Sequence, residues 1–170
     1  MKLITWNIQW GLGMDGRCDL ARVVADARRI ADFDVLCLQE VSDNFPELRG
    51  TRGANQFAEL AKLLPGYAAI EGVALDIPDG QGRRKRFGNM ALSRYPVGQV
   101  LRWTLPWEAD HTRNMPRGLI EAVVMAPFGP VRARRIAAPV PASRTPASRA
   151  PARTPSNRPR PAPSSPATST

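Results

Sequence analysis

The chain has 170 residues, room for one domain with a sizeable core. Lys and Arg total 24 against 15 Asp and Glu, a formal +9, which ordinarily points to nucleic acid or an anionic surface. The excess lies at one end. From Ala122 onward there are eight Arg and no acidic residue, so residues 1–121 carry 16 basic and 15 acidic groups, and charge alone does not make that part a polyanion binder.

Two cysteines, Cys18 and Cys37, do not form a disulfide framework, and a reduced, cytoplasmic compartment is the default expectation. Cys37 lies in an apolar run and reads as a small buried hydrophobe rather than a metal ligand. Met1-Lys2 leads straight into an apolar segment that is too short for a signal peptide or a membrane span.

Leu3 to Ile8 reads as a strand, and Gly11, Gly13 and Gly16 mark the loop after it. Asp19 is a plausible N-cap. Leu20, Val23, Val24, Ala27, Ile30 and Ala31 recur at helical spacing, which predicts an amphipathic helix over 20–31. Val35 to Val41 is a continuous apolar run ending at Gln39-Glu40, as in a strand buried on both faces. Strand–helix–strand order implies a right-handed βαβ unit. A second helix spans roughly 55–64 and ends at Pro65-Gly66. Tyr67 to Leu75, Phe87 to Ser93, Val97 to Leu105 and Gly118 to Met125 read as strands, giving a mixed sheet. The glycine-rich basic stretch 79–86 lies between the first two of these. Its Arg83 to Arg86 run reads as a solvated hairpin loop or as a contact for an anionic substrate.

After about Val131 the composition collapses. From 134 to 170 every residue except Ile136, Val140 and Asn157 is Ala, Pro, Arg, Ser or Thr. Nothing there can offset the entropy of ordering, so a disordered tail over 132–170 is expected after a domain over 1–131. Those residue types are what GC-rich codons give when read out of frame. A frameshift is the preferred account and a natural proline-rich tail the alternative.

Thr5-Trp6-Asn7-Ile8-Gln9-Trp10 closes the first strand and Leu36-Cys37-Leu38-Gln39-Glu40-Val41 the second. An amide and a carboxylate thus come to the carboxyl ends of neighbouring parallel strands, where open α/β sheets build their sites. Three segments, TWNIQWG at the start, DVLCLQEV at 34–41 and FGNMALSRYPV at 87–97, with PRGLIEAVV at 116–124 as a less distinctive fourth, carry a resemblance. In order and spacing they resemble the N-terminal half of the endonuclease/exonuclease/phosphatase superfamily (deoxyribonuclease I-like), over residues 1–131.

The resemblance implies an α/β fold, an incomplete four-layer sandwich with a mixed sheet and flanking helices. It implies a Mg²⁺-dependent phosphodiesterase or phosphatase-type hydrolase, with Mn²⁺ as a substitute ion, acting on a phosphate ester: DNA, a phospholipid head group or an inositol phosphate. Glu40 matches the family's metal-binding glutamate. Because Mg²⁺ keeps most of its waters, one protein carboxylate can suffice. Asn7 matches the active-site asparagine, expected to orient phosphate or a metal-bound water. Asn89 is expected to support the cleft. Arg117 stands where the family often keeps a basic residue, either holding a phosphate bidentately or making a surface ion pair. The family's later Thr-His-Leu strand, Gly-Asp-x-Asn turn and Ser-Asp-His end have no counterpart in these residues, and His111, the one histidine, precedes the position of the first. The expectation is therefore a chain with little or no activity. The alternative is a non-catalytic protein binding nucleic acid or another polyanion through its arginine-rich tail. With the second sheet incomplete, side chains among Ile4, Leu36, Leu38, Met90, Leu92, Leu119 and Val123 are expected to be abnormally exposed.

Overall fold

The computed structural model of the chain describes residues 1–106 and 116–136. Strand β1 (Leu3–Asn7) runs into helix α1 (Leu20–Ile30), which returns the chain to β2 (Val35–Asp43), paired parallel to β1 in the register Leu3 opposite Val35. Asp19 caps α1 as its spacing predicts, accepting from the Arg22 N–H at 2.8 Å. Helix α2 (Gln56–Leu63), capped by Asn55, precedes a hairpin of β3 (Ala68–Pro78) and β4 (Arg84–Ser93). β4 lies antiparallel to both β2 and β3, so the first sheet is mixed, in the order β1-β2-β4-β3. Strands β5 (Val97–Thr104), β6 (Gly118–Ala126) and β7 (Gly129–Ile136) form a second, antiparallel sheet in chain order. No helix among the described residues is long and apolar enough to cross a membrane.

Three layers result, because each apolar face finds one partner. Helix α1 turns Leu20, Val23, Val24 and Ala27 inward and α2 turns in Phe57 and Leu60. Against them lie Leu36, Leu38, Met90 and Leu92 of the first sheet. The opposite face of that sheet presents Val35, Cys37, Ile70 and Ala91 to Ile120, Ala122 and Val124 of β6. β2, covered on both sides, is buried at all of its positions. Ile30, placed by spacing on the apolar face of α1, is instead 69% exposed at its last turn.

The expected exposure falls elsewhere. Leu36, Leu38, Met90 and Leu92 are buried because they face the helices, not the second sheet, and Ile4, Leu119 and Val123 are half-buried. The uncovered strip is on β1, where Leu3 is 44% exposed and Thr5 is exposed on the face turned away from the helices. The strand pattern also runs past the composition change at Val131. β7 extends to Ile136, five residues into the stretch assigned to the tail, because Arg132 and Arg134 pair with Glu121 on β6. The rest of the expected tail lies outside the described residues.

Two glycines permit close approach, Gly72 between the sheets and Gly88 between β4 and β3 within the first. A β-carbon at Gly72 would lie 2.1 Å from the Ile120 side chain, and one at Gly88 only 2.3 Å from the Gly72 carbonyl oxygen. That second obstacle is backbone and cannot rotate away. Gly88→Ala is expected to lower the urea unfolding free energy by about 1–3 kcal/mol; a midpoint and slope matching the parent protein would contradict this packing.

A candidate cation site at the ends of two parallel strands

Asn7 ends β1, and the chain turns sharply behind it. Gln9 and Trp10 both have φ of +47°. The Gln9 N–H donates to Asn7 Oδ1 at 3.0 Å, and the Ile8 N–H continues the ladder to the Gln39 carbonyl at 3.2 Å. The Asn7 side chain is thereby fixed at the strand end, exposed and with its amide nitrogen free to point across the sheet.

Glu40 reaches it only through an irregularity. Asn7 is opposite Gln39 and shares its face. Strict alternation would send Glu40 to the other face, beside Leu36 and Leu38. The register between β2 and β4 instead slips between Leu38, opposite Met90, and Val41, opposite Gly88. Gln39 and Glu40 together oppose Asn89, and Glu40 takes φ of +61°. This bulge re-aims the carboxylate so that Asn7 Nδ2 donates to Glu40 Oε1 at 2.8 Å. The two predicted residues are therefore in direct contact, one exposed and one 3% exposed.

Gln56, buried at the start of α2, braces both halves of this arrangement. Its Oε1 accepts from the Ser42 N–H at 3.0 Å, and its Nε2 donates to the Trp10 carbonyl at 2.8 Å. Sequence reasoning missed it, and the one signal was a polar residue at a first helical position. Asn89 faces the second sheet, buried, donating to the Gly118 carbonyl at 3.0 Å while its Oδ1 has no partner; its role is to tie β4 to β6. Arg117, half-buried, sits just before that carbonyl, and its own carbonyl accepts from the Leu105 N–H. The structure does not bring it onto the Asn7–Glu40 pair. His111 lies outside the described residues.

The basic stretch 83–86 is mostly neutralised. Arg84 pairs with Asp76 at 2.7 Å, Lys85 with Glu47, and Arg86 with both Asp43 and Glu71 at 2.8 Å. Asp79 turns the hairpin; the Gln81 N–H and then the Asn44 amide hold its carboxyl below the usual carboxylate range.

The buried carboxylates differ in their neighbours. Asp43 meets Arg86, and Glu121 meets Arg132 and Arg134. Glu40 has no cationic partner among the described residues, only the Asn7 amide. A buried carboxylate with no cation beside it is costly to keep ionised, and a hydrated divalent cation is a partner that carboxylate oxygen fits. No group of three or more acidic, His or Cys side chains that could hold a metal occurs among the described residues, so such an ion would keep most of its own waters.

The profile of the Endonuclease/Exonuclease/phosphatase family matches residues 4–167, and the chain belongs to that family. Among solved structures it is similar to an endonuclease/exonuclease/phosphatase family protein from Leptotrichia buccalis. The identity is 16% and the TM-score 0.47, over 79% of this chain and 53% of that one, so the chain spans about half the length of that structure. No curated protein matches it.

Glu40→Gln keeps the acceptor for Asn7 and removes the carboxylate. In EDTA this variant is expected to match or exceed the parent's stability in urea titration; a clear loss of stability would mean that the protein already balances the carboxylate.

Proposed function

We propose that these residues form the cation-binding part of a divalent-metal-dependent phosphodiesterase or phosphatase-type site, with Glu40 as the metal carboxylate and Asn7 as the orienting amide. The observation that supports it is the 2.8 Å contact between a buried, cation-free carboxylate and an exposed amide at the carboxyl ends of adjacent parallel strands. Family membership supports hydrolysis of a phosphate ester, with Mg²⁺, or Mn²⁺ in its place, as the ion. Bound there, the ion would supply charge neutralisation for phosphoryl oxygens.

The chain's own residues do the positioning. The bulge fixes Glu40, and Gln9 fixes the Asn7 oxygen so that its nitrogen is directed to the carboxylate. Gln56 holds the two loops in register. Asn89 is assigned to support rather than to chemistry, and Arg117, which lies off the Asn7–Glu40 pair, is given no part in it. Acid–base catalysis has no such residues here. The carboxylate–histidine groups named above are not among the 170 residues, and general acid–base assistance typically contributes about 10²–10⁴-fold.

Two measurements test this reading. Mg²⁺ or Mn²⁺ is expected to raise the thermal midpoint of the chain and to lose that effect in Glu40→Ala; an equal rise in both sinks the cation site. Turnover of bis(p-nitrophenyl) phosphate with Mg²⁺ is expected to stay far below the usual range of enzymes, about 1–10³ s⁻¹. Turnover within that range that disappears in Glu40→Ala would show that the 170 residues are catalytically sufficient.

A further inference from the structure

The loop following β1 and the loop following β2 enclose a pocket of about 600 Å³, lined by Gly16, Arg17, Gly50, Arg52 and Gln56 among others. Both loops leave the carboxyl end of the sheet, the end that carries Asn7 and Glu40. Gln56 makes the connection physical: it lines the pocket while bonding Trp10, three residues beyond Asn7, and Ser42, two beyond Glu40. The pocket and the cation site therefore share a wall.

Its chemistry is cationic. Arg17 and Arg52 line it, and the Arg49 guanidinium lies against the wall at Gly16, 2.5 Å from where a β-carbon would stand; all three arginines are exposed. None of the three has a carboxylate at ion-pair distance among the described residues. By contrast, Arg22, Arg84, Arg86, Arg94, Arg132 and Arg134 each have one. Glu59 is the one acidic residue in the lining, against Arg17 and Arg52. Gly16 and Gly50, at φ of +76° and +84°, make the close approach of the two loops geometrically open. A side chain at Gly50 would strike Cys18 Sγ at 2.9 Å. The fixed fork of a guanidinium matches a phosphate bidentately, and unpaired arginines in a concave, half-enclosed setting favour an anion over bulk water.

We propose that this pocket binds a second phosphate of the substrate, next to the one held at Asn7 and Glu40. It rests on the function proposed above, and it narrows the substrate to molecules bearing at least two phosphates. A lipid head group with a single phosphodiester would leave the pocket empty. A polynucleotide strand supplies the second phosphate as its neighbouring diester; a polyphosphorylated ring supplies it as a substituent.

The test titrates the full chain in EDTA with the trinucleotide pTpTpT and, separately, with inositol hexakisphosphate, using calorimetry. Arg17→Ala/Arg49→Ala/Arg52→Ala is expected to weaken the better probe at least 10-fold. Arg149→Ala/Arg153→Ala/Arg158→Ala, which removes the same charge from the tail, is expected to change it less than 2-fold. Equal losses in the two triple variants would overturn the pocket. The tighter of the two probes identifies the source of the phosphate, strand or ring. Should the pocket variant misfold, the parent decides alone: the Gly16 and Gly50 amide resonances are expected to shift on titration, and their constancy at saturation overturns the proposal. Because the probes are titrated in EDTA, absence of the Mg²⁺ effect on the parent's thermal midpoint with the phosphate result intact would count against the cation site and not against this pocket.

Discussion

Glu40 holds a left-handed backbone conformation in the middle of a strand whose every residue is buried, and the candidate site depends on that single departure. A non-glycine residue in this region costs on the order of 1–3 kcal/mol and persists only where its surroundings over-determine it. Here they do. Leu38 and Val41 both belong to the helix-facing core, yet they are three residues apart, and a period of two cannot bury both on one face. One residue must be extra. The ladder interrupted by the extra residue is repaired from outside the sheet, since the Ser42 N–H finds the Gln56 side chain. The strain is thus held by core packing on one side and by a buried amide on the other, and its product is a carboxylate turned onto Asn7.

Charge is distributed by the same logic. A carboxylate inside a protein survives as an ion only with a counter-charge and hydrogen bonds. Asp43 has Arg86, which Glu71 also holds; Glu121 has two arginines from β7. These pairs consume most of the basic hairpin and the first arginines after Val131. The buried carboxylate without a cation, Glu40 in β2, and three of the arginines without a carboxylate, Arg17, Arg49 and Arg52 on the loops that follow β1 and β2, lie at the same end of the first sheet. Had they been adjacent they would have neutralised one another. Held apart by a bulge on one side and by paired glycines on the other, they remain complementary to a ligand that carries both a bound cation and extra negative charge.

Much of this was legible in the sequence. The α1 register, its Asp19 cap and the buried β2 run follow from periodicity, because those signals are local; Asn7 and Glu40 were singled out by residue type near strand ends and by the family resemblance. The bulge was not legible. Nothing in Leu38-Gln39-Glu40-Val41 distinguishes an extra residue from a regular strand; the distinction is made by which side chains the helices and the opposite sheet accept. Read as a regular strand, the same sequence places Asn7 and Glu40 on opposite faces. Gln56 escaped for a related reason, since its two partners are backbone groups 14 and 46 residues away in the chain. The end of β7 was misplaced because composition tracks average burial, while Arg132 and Arg134 are kept in the sheet by one buried glutamate across the ladder.

The layering explains the accessibility of the site. β6 packs over β3 and β4, and β5 over β3, so the second sheet is centred on the hairpin side of the first. Close approach there is set by Gly72 against Ile120, and Asn89 bonds the Gly118 backbone across the gap. β1, at the far edge, receives no such cover on that face. Leu3 and Thr5 are left open, and so is Asn7. An uncovered Leu3 is unfavourable by itself, as apolar surface in water always is. The same geometry, however, leaves the amide end of the Asn7–Glu40 pair in solvent while the carboxylate end stays buried. An ion at the proposed site would be reached along the exposed side of β1. Covering that strip with a further strand would protect Leu3 and would narrow that approach, so the exposure of β1 and the accessibility of the cation site are one feature of the fold rather than two.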